Sequence, residues 1–425
     1  MYISLTNPAR GRTTGPRAPG VRTVSSTVVT LGVVSMLTDI SSESVAAVMP
    51  LYVTGFLGLS TIAFGFLDGL YQGTSALVRI ASGYTADRVG RPKWVAFSGY
   101  ALAAVARVGL LFVSGFGGLL AVMTADRIGK GIRTAPRDAL ITARSRPDNL
   151  ATSFSVHRTL DNIGAALGPL IAFALLWIVP DGYEVVFAVS LAFAVVGLVI
   201  LGLVVPNVRL RARARDVAVA GNAEGRTRFA WGVVLRGPMR RVLAAAGILG
   251  LVTIGDGFVY LLLQSRGDFA TLWFPLLYVG TNVAFIAFAI PMGRLADRIG
   301  RARVFVFGHV ALLGAYVVAV LPIVDLAATV ACLLLLGTFY AATDGVLAAL
   351  ASELTTPETR ATGIAAAQTT VAVARFGAAA GFGVLWFAVG PEAATIVVAV
   401  LLAIAIPGAA LLLRSILRGE RRSAP

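Results

Sequence analysis

Gly83-Tyr84-Thr85-Ala86-Asp87-Arg88-Val89-Gly90-Arg91-Pro92-Lys93 and Gly293-Arg294-Leu295-Ala296-Asp297-Arg298-Ile299-Gly300-Arg301-Ala302-Arg303 are two versions of one segment. Gly, Asp, Arg, Gly and Arg keep the same places in both, and Asp87 and Asp297 stand 210 residues apart in a chain of 425. Each copy follows the second long apolar stretch of its half, so the chain reads as an internal duplication. Gly83 and Gly293 remove side chains where a helix end lies close to a neighbour. Asp87 and Asp297 suit the positive N-terminal end of another helix. Gly90 and Gly300 allow the tight turn into the next helix. Arg88, Arg91, Arg298 and Arg301 can bridge to carboxylates or to lipid phosphates.

The stretches around the two copies fix the class. Hydrophobic residues make up 57% of the chain and charged ones 13%, and mean hydropathy is +0.83. A soluble domain needs more polar surface than that. Apolar stretches of some twenty residues recur from Val24 to Leu413, each long enough to cross a hydrocarbon layer of roughly 30 Å as a helix. Backbone polar groups in lipid must be satisfied internally, so the expectation is an all-α membrane protein. Twelve transmembrane helices are expected, at 26–56, 61–85, 94–114, 118–140, 151–178, 184–205, 240–264, 269–294, 302–323, 327–350, 361–388 and 392–413.

The net charge of +15 would suggest nucleic acid in a soluble protein. Here the basic residues sit between apolar stretches, in alternate connections, so anionic lipid at one membrane face is the expected partner and nucleic acid is not. Arg10, Arg12, Arg17 and Arg22 precede the first span, nine arginines crowd 207–241, and Arg414, Arg418, Arg421 and Arg422 close the chain. By the positive-inside rule both termini and the middle stretch are cytoplasmic. The expected organisation is a tail over 1–23, a six-helix bundle over 24–206, a linker over 207–237, a second bundle over 238–414 and a tail over 415–425. A cleaved signal peptide is disfavoured, because losing the first span would leave the first half one helix short of the second. The single cysteine, Cys332, excludes an internal disulfide.

The repeated segment resembles the signature loop of the major facilitator superfamily, G-x-x-x-D-R-x-G-R-[RK], between that family's second and third helices. Both copies depart from it by one inserted residue, Pro92 before Lys93 and Ala302 before Arg303. The resemblance covers essentially the whole chain. It implies two six-helix bundles rocking about a central site, with Gly83, Asp87, Arg88, Gly90, Arg91, Gly293, Asp297, Arg298, Gly300 and Arg301 acting as a cytoplasmic gate. Arg127-Ile128-Gly129-Lys130-Gly131 is similar to the family's R-x-x-Q-G pattern, with Lys130 in the glutamine's place. In the family that arginine is linked to proton transfer. Gly164-Ala165-Ala166-Leu167-Gly168-Pro169 resembles the core of the motif of drug/proton antiporters, although Ile171 and Ala172 stand where a glycine pair would follow. Gly164 and Gly168 also fit an ordinary small-residue packing face.

Charges at bilayer depth cost roughly 2.5–3.5 kcal/mol each on insertion scales, so they mark sites. Asp39 and Glu43 lie one turn apart on one face of the first span. Two carboxylates so placed do not both ionise easily in a low dielectric, which suits a proton carrier or the attraction of a cation. Asp68, Asp126, Arg127, Arg158 and Asp161 complete the buried charges singled out in the first half. Arg127 and Arg158 are expected to offset Asp39, Glu43 or Asp161, and Asp138 to meet Arg88 or Arg91. Asp256, Asp344 and Arg375 are the sparser set of the second half, so coupling chemistry is expected mainly in the first. His157 and His309 read as core residues, and neither a metal site nor a cofactor is expected.

The pattern lacks a G-x-x-x-x-G-K-[ST] phosphate loop, a metal-ligand cluster and a nucleophile–base pair, so neither ATP-driven transport by this chain nor an enzyme is expected. The resemblance implies a monomeric secondary transporter in the cell membrane, moving a small molecule against protons. Efflux by antiport leads; uptake by symport and a non-transporting sensor are the alternatives.

Overall fold

The computed structural model describes residues 24–71, 73, 91–146, 149–207, 237–267, 269–322, 325–356 and 359–423. Among the described residues helix begins within a few residues of each expected start, and no strand occurs. The first half comprises α1 (Ser26–Leu51), α2 (Thr61–Tyr71), α3 (Pro92–Leu110), α4 (Phe116–Arg144), α5 (Leu150–Ile178) and α6 (Tyr183–Leu203). The second comprises α7 (Gly237–Leu251), α8 (Asp256–Gly267), α9 (Phe274–Ile299), α10 (Arg301–Val320), α11 (Leu326–Glu353), α12 (Arg360–Val389) and α13 (Pro391–Leu412), followed by α14 (Arg414–Ser423). Among the described residues nine helical segments are long and apolar enough to cross a membrane, α7 and α8 counting as one. α4 stands outside that group because Asp126, Arg127, Lys130, Arg133, Arg137 and Asp138 crowd its middle and inner turns. Exposed Val199, Leu203, Ile290 and Ile404 belong to the apolar outer surface such helices present to lipid.

The duplication reappears in the packing. α1 packs on α5 and α6, and α3 on α4 and α6; at the corresponding places α7 packs on α12 and α13, and α10 on α11 and α13. Glycine sets the closeness of these crossings. A Cβ on Gly129 would meet the carbonyl oxygen of Gly99 at 2.6 Å, so α3 and α4 touch backbone to backbone.

The two halves meet at the arginine-poor end of the bundle. There the Thr61 hydroxyl donates to the Gly383 carbonyl (3.2 Å), and Phe66 stacks edge-on against Phe376 with ring centres 5.5 Å apart. Trp273, in the turn before α9, sits against Phe173 and Trp177 of α5, at 5.3 and 5.7 Å.

The seventh span departs from its expectation as one helix. It breaks over Val252–Gly255 between α7 and α8, and the freed Ile254 N–H donates to the buried Tyr316 hydroxyl (2.9 Å). A broken helix is tolerated at membrane depth where its backbone groups find partners or line a cavity. α1 has a related irregularity: Pro50 lacks an N–H, and the helix ends in a π turn over Tyr52–Phe56.

The second signature segment is described; of the first, only Arg91 to Lys93 are, so Gly83, Asp87, Arg88 and Gly90 lie outside the described residues. Gly300 makes the turn between α9 and α10 at φ 106° and ψ 142°, a region open essentially to glycine alone. Gly300→Ala is therefore expected to destabilise the protein by about 1–3 kcal/mol, read as a lower Tm in detergent micelles. Gly293 corrects the sequence reading. A Cβ there would meet nothing within 4 Å among the described residues, so no close neighbour described requires this glycine. Arg301 bridges exposed Asp297 (3.5 Å) and Glu353 (3.1 Å), tying the turn to the end of α11.

Candidate substrate cavity and its charges

α1, α2, α3 and α4 of the first half and α8, α9 and α11 of the second enclose a cavity of about 280 Å³. Its walls mix Phe64, Tyr71, Tyr260, Tyr278, Phe285 and Tyr340 with carboxylates. Of the acids singled out from the sequence, Glu43, Asp68, Asp256 and Asp344 all line it, joined by Asp126. Arg107 is the one basic residue among the described lining residues. A second cavity of about 630 Å³ shares Phe285 and Asp344 with the first and runs toward the basic end, past Arg158, Gln368 and Arg375.

Four separate charge pairings organise the first half. Asp126 on α4 binds Arg107 of α3 (3.0 Å) and its own neighbour Arg127, all three being 4% exposed or less. Arg107 also donates to Ser41 (3.3 Å) and Ser42 (3.2 Å) on α1, locking three helices together. Arg127 lies over the Tyr71 ring, 3.8 Å from its centre. One turn along α4, Lys130 faces Glu43 at 3.9 Å. Arg133 comes to 3.5 Å from Asp39 and covers the Tyr100 ring at 4.6 Å. Arg137 meets Asp138 (3.1 Å), Asp161 (3.9 Å) and the Ser35 hydroxyl (3.0 Å). The i, i+3/i+4 spacing of 126, 130, 133 and 137 puts these groups on one stripe of α4, and that stripe faces the acids of α1 and α5.

Several expected pairings are thereby revised. Arg127 partners Asp126 rather than Asp39, Glu43 or Asp161; Arg133, Lys130 and Arg137 take those three acids instead. An arginine next to its partner in sequence reaches it without crossing to another helix, which depth alone did not reveal. Arg158 is exposed on the larger cavity. Asp138 binds Arg137, with Arg88 outside the described residues. Arg107 is the functional residue the sequence reading passed over, although a lone charge inside the third span was the signal for it.

Gly164 and Gly168 are packing glycines in this geometry. Added Cβ atoms would meet the Met36 backbone from Gly164, and Ser44 N (2.8 Å) and Glu43 Cβ (2.9 Å) from Gly168. They seat α5, with Pro169 inside it, on the face of α1 that carries Asp39 and Glu43. His157 shares a hydrogen bond with Ser35 (3.2 Å), and His309 with the Phe305 carbonyl (2.9 Å), so both are partnered core residues.

In the second half the Tyr340 hydroxyl donates to Asp256 (2.7 Å) at the start of α8, and Tyr260 donates to Thr281 (2.6 Å). Asp68, from the first half, reaches the broken stretch between α7 and α8: with Thr253, Ile254, Gly255, Tyr340 and Arg375 it lines a gap of about 10 Å³. Asp68 Oδ2, the Tyr71 hydroxyl and Arg375 Nε are buried without a hydrogen-bond partner among the described residues. Buried polar atoms of that kind call for a ligand or water. Asp344 is exposed where the two cavities join.

The family model for the Major Facilitator Superfamily matches residues 31–280 and 270–425. An uncharacterized MFS-type transporter of Methanocaldococcus jannaschii is 26% identical over 384 residues, spanning 87% of this chain and 91% of its own. A Mycobacterium tuberculosis protein is 31% identical over 158 residues, 37% of this chain and 38% of its own. Among solved structures, the nucleoside transporter NupG superposes with a TM-score of 0.77 at 14% identity, over 92% of this chain and 99% of its own. A bacterial homolog of the human lysosomal transporter Spinster, inward-facing and unoccupied, gives 0.72 at 15% identity, over 92% and 97%. Those likenesses agree on the fold, and the family match extends over both halves of the sequence. The chain belongs to the Major Facilitator Superfamily and is a multi-pass membrane transporter rather than an enzyme.

Proposed function

We propose that this protein exports a small organic molecule in exchange for protons, by alternating access at the central cavity. One observation carries the reading: the cavity lies between the halves, which meet at the arginine-poor end, while a larger cavity continues from it toward the basic end. With the basic end cytoplasmic by the positive-inside rule, this is the state in which an exporter loads its cargo. The cell membrane, cytoplasmic termini and a monomer belong to the same reading.

Proton exchange rests on the α1 acids. Asp39 and Glu43 each face a cation of α4 at 3.5 Å or more, looser than a tight charge-assisted pair of about 2.7–2.9 Å. A proton arriving on either acid releases its α4 partner, and α4 also carries the Arg107–Asp126 anchor between helices. Protonation and helix position are thus linked through one stripe of side chains. The remaining signature segment around Asp297 and Arg301 acts as the gate at the basic end.

Proteoliposomes with an imposed pH gradient test this. Accumulation of a labelled substrate from a broad amine and drug panel is expected to follow the gradient, and Asp39→Asn is expected to reduce the gradient-driven part to background. Flux indifferent to the gradient in the wild type would end the proton-coupled reading. Substrate and protons moving in the same direction would replace export with symport.

A further inference from the structure

The charges around the central cavity do not cancel, and their imbalance specifies a ligand. Of the five carboxylates lining it, Asp126 is held by Arg107 and Arg127, and Glu43 faces Lys130. Asp68, Asp256 and Asp344 remain, contributed by both halves. The Asp256 contact is with a neutral donor, the Tyr340 hydroxyl. Asp68 has one oxygen without a hydrogen-bond partner among the described residues. Among the described residues the cation that shares their surroundings is Arg375, which lines the narrow gap with Asp68 and the larger cavity with Asp344. One guanidinium thus stands against three carboxylates, in a space whose other walls are largely aromatic and aliphatic.

We infer that the cavity takes an organic monocation, an amine or quaternary ammonium carrying an aromatic or other flat apolar group. This rests on the export reading above and names its substrate class. Electrostatics favours a positive ligand, because a buried carboxylate without a partner is costly and an incoming ammonium supplies one. The tyrosines add to this. Tyr71, Tyr278 and Tyr340 turn rings or hydroxyls toward the same space as the acids, and the negative face of such a ring attracts a cation. Arg127 already occupies one face of Tyr71, and Arg375 lies 5.7 Å from the centre of the Tyr340 ring, so Tyr278 is the tyrosine ring left for the ligand. The volume of about 280 Å³ lies near the low end of cavities that hold small organic molecules, about 300–1,000 Å³. A hydrated metal ion would leave the aromatic wall unused.

The experiment uses the purified full chain in lipid nanodiscs and titration calorimetry. The probes are phenyltrimethylammonium, whose charge is fixed, its neutral isostere tert-butylbenzene, and benzoate as an anion. Phenyltrimethylammonium is expected to bind at least tenfold more tightly than either other probe. Asp256→Asn and, separately, Asp344→Asn are expected to weaken it at least tenfold. Glu392→Gln, paired with Arg266 away from the cavity, is expected to leave it unchanged. Asp344 is exposed, so that variant is expected to keep the wild-type Tm, and a loss of binding there reports the site. Equal binding of the neutral isostere, preference for benzoate, absence of saturable cation binding, or indifference to both variants would overturn the assignment. Failure of the two readings is separable. Gradient-driven flux of non-cationic panel compounds would keep export and discard this substrate class. Saturable cation binding without flux would keep the site and discard transport.

Discussion

Asp126→Ala is expected to leave little folded protein. The side chain is 4% exposed and sits between two guanidiniums that are 4% and 2% exposed. Removing it strands Arg107 and Arg127 in a low-dielectric interior, and breaking such a pair costs about 3–5 kcal/mol. Because Arg107 also reaches Ser41 and Ser42, the loss spreads from the α3–α4 contact to α1. Size exclusion and thermal unfolding in detergent should show a collapsed monodisperse peak and a much lower Tm. Asp297→Ala provides the contrast: its carboxylate is 71% exposed, and surface pairs are worth about 0–1 kcal/mol. Equal Tm values for the two variants would contradict the assignment of Asp126 as the anchor.

Gly164→Val is expected to be nearly as damaging, for a steric reason. Even a Cβ there would come within 2.9 Å of Met36 Cα and 3.0 Å of its carbonyl carbon. Those are backbone atoms of α1 and cannot swing aside, so α5 must move outward. Overpacking commonly costs about 1–3 kcal/mol, and here it also displaces the helix seated beside Asp39 and Glu43. The expected result is poor expression of a destabilised protein with no gradient-driven flux. Gly408→Ala, where a Cβ would meet nothing within 4 Å, should be silent in the same assays. A stable, active Gly164→Val protein would show that the α1–α5 contact is looser than this geometry.

The sequence itself determined the helices, their places and their duplication. Those features follow from local quantities: the length of apolar stretches against membrane thickness, and the matched segments around Asp87 and Asp297. The acids of the cavity were also legible, because a charge at bilayer depth is conspicuous one residue at a time. Pairing was not legible. Which of Arg127, Lys130, Arg133 and Arg137 meets which acid depends on the rotation of α4 against α1 and α5, and rotation is set by contacts from many helices. The same holds for the break at Val252–Gly255, where a partner 62 residues away, Tyr316, receives the freed N–H. The signature glycines show the division most plainly. Gly300 needs its backbone conformation locally and is legible in sequence, whereas the need at Gly293 rests on a neighbour that only the tertiary structure could supply, and the described residues supply none. Local chemistry fixed what each segment must be; the packing of segments decided which charges meet and where the cavity lies.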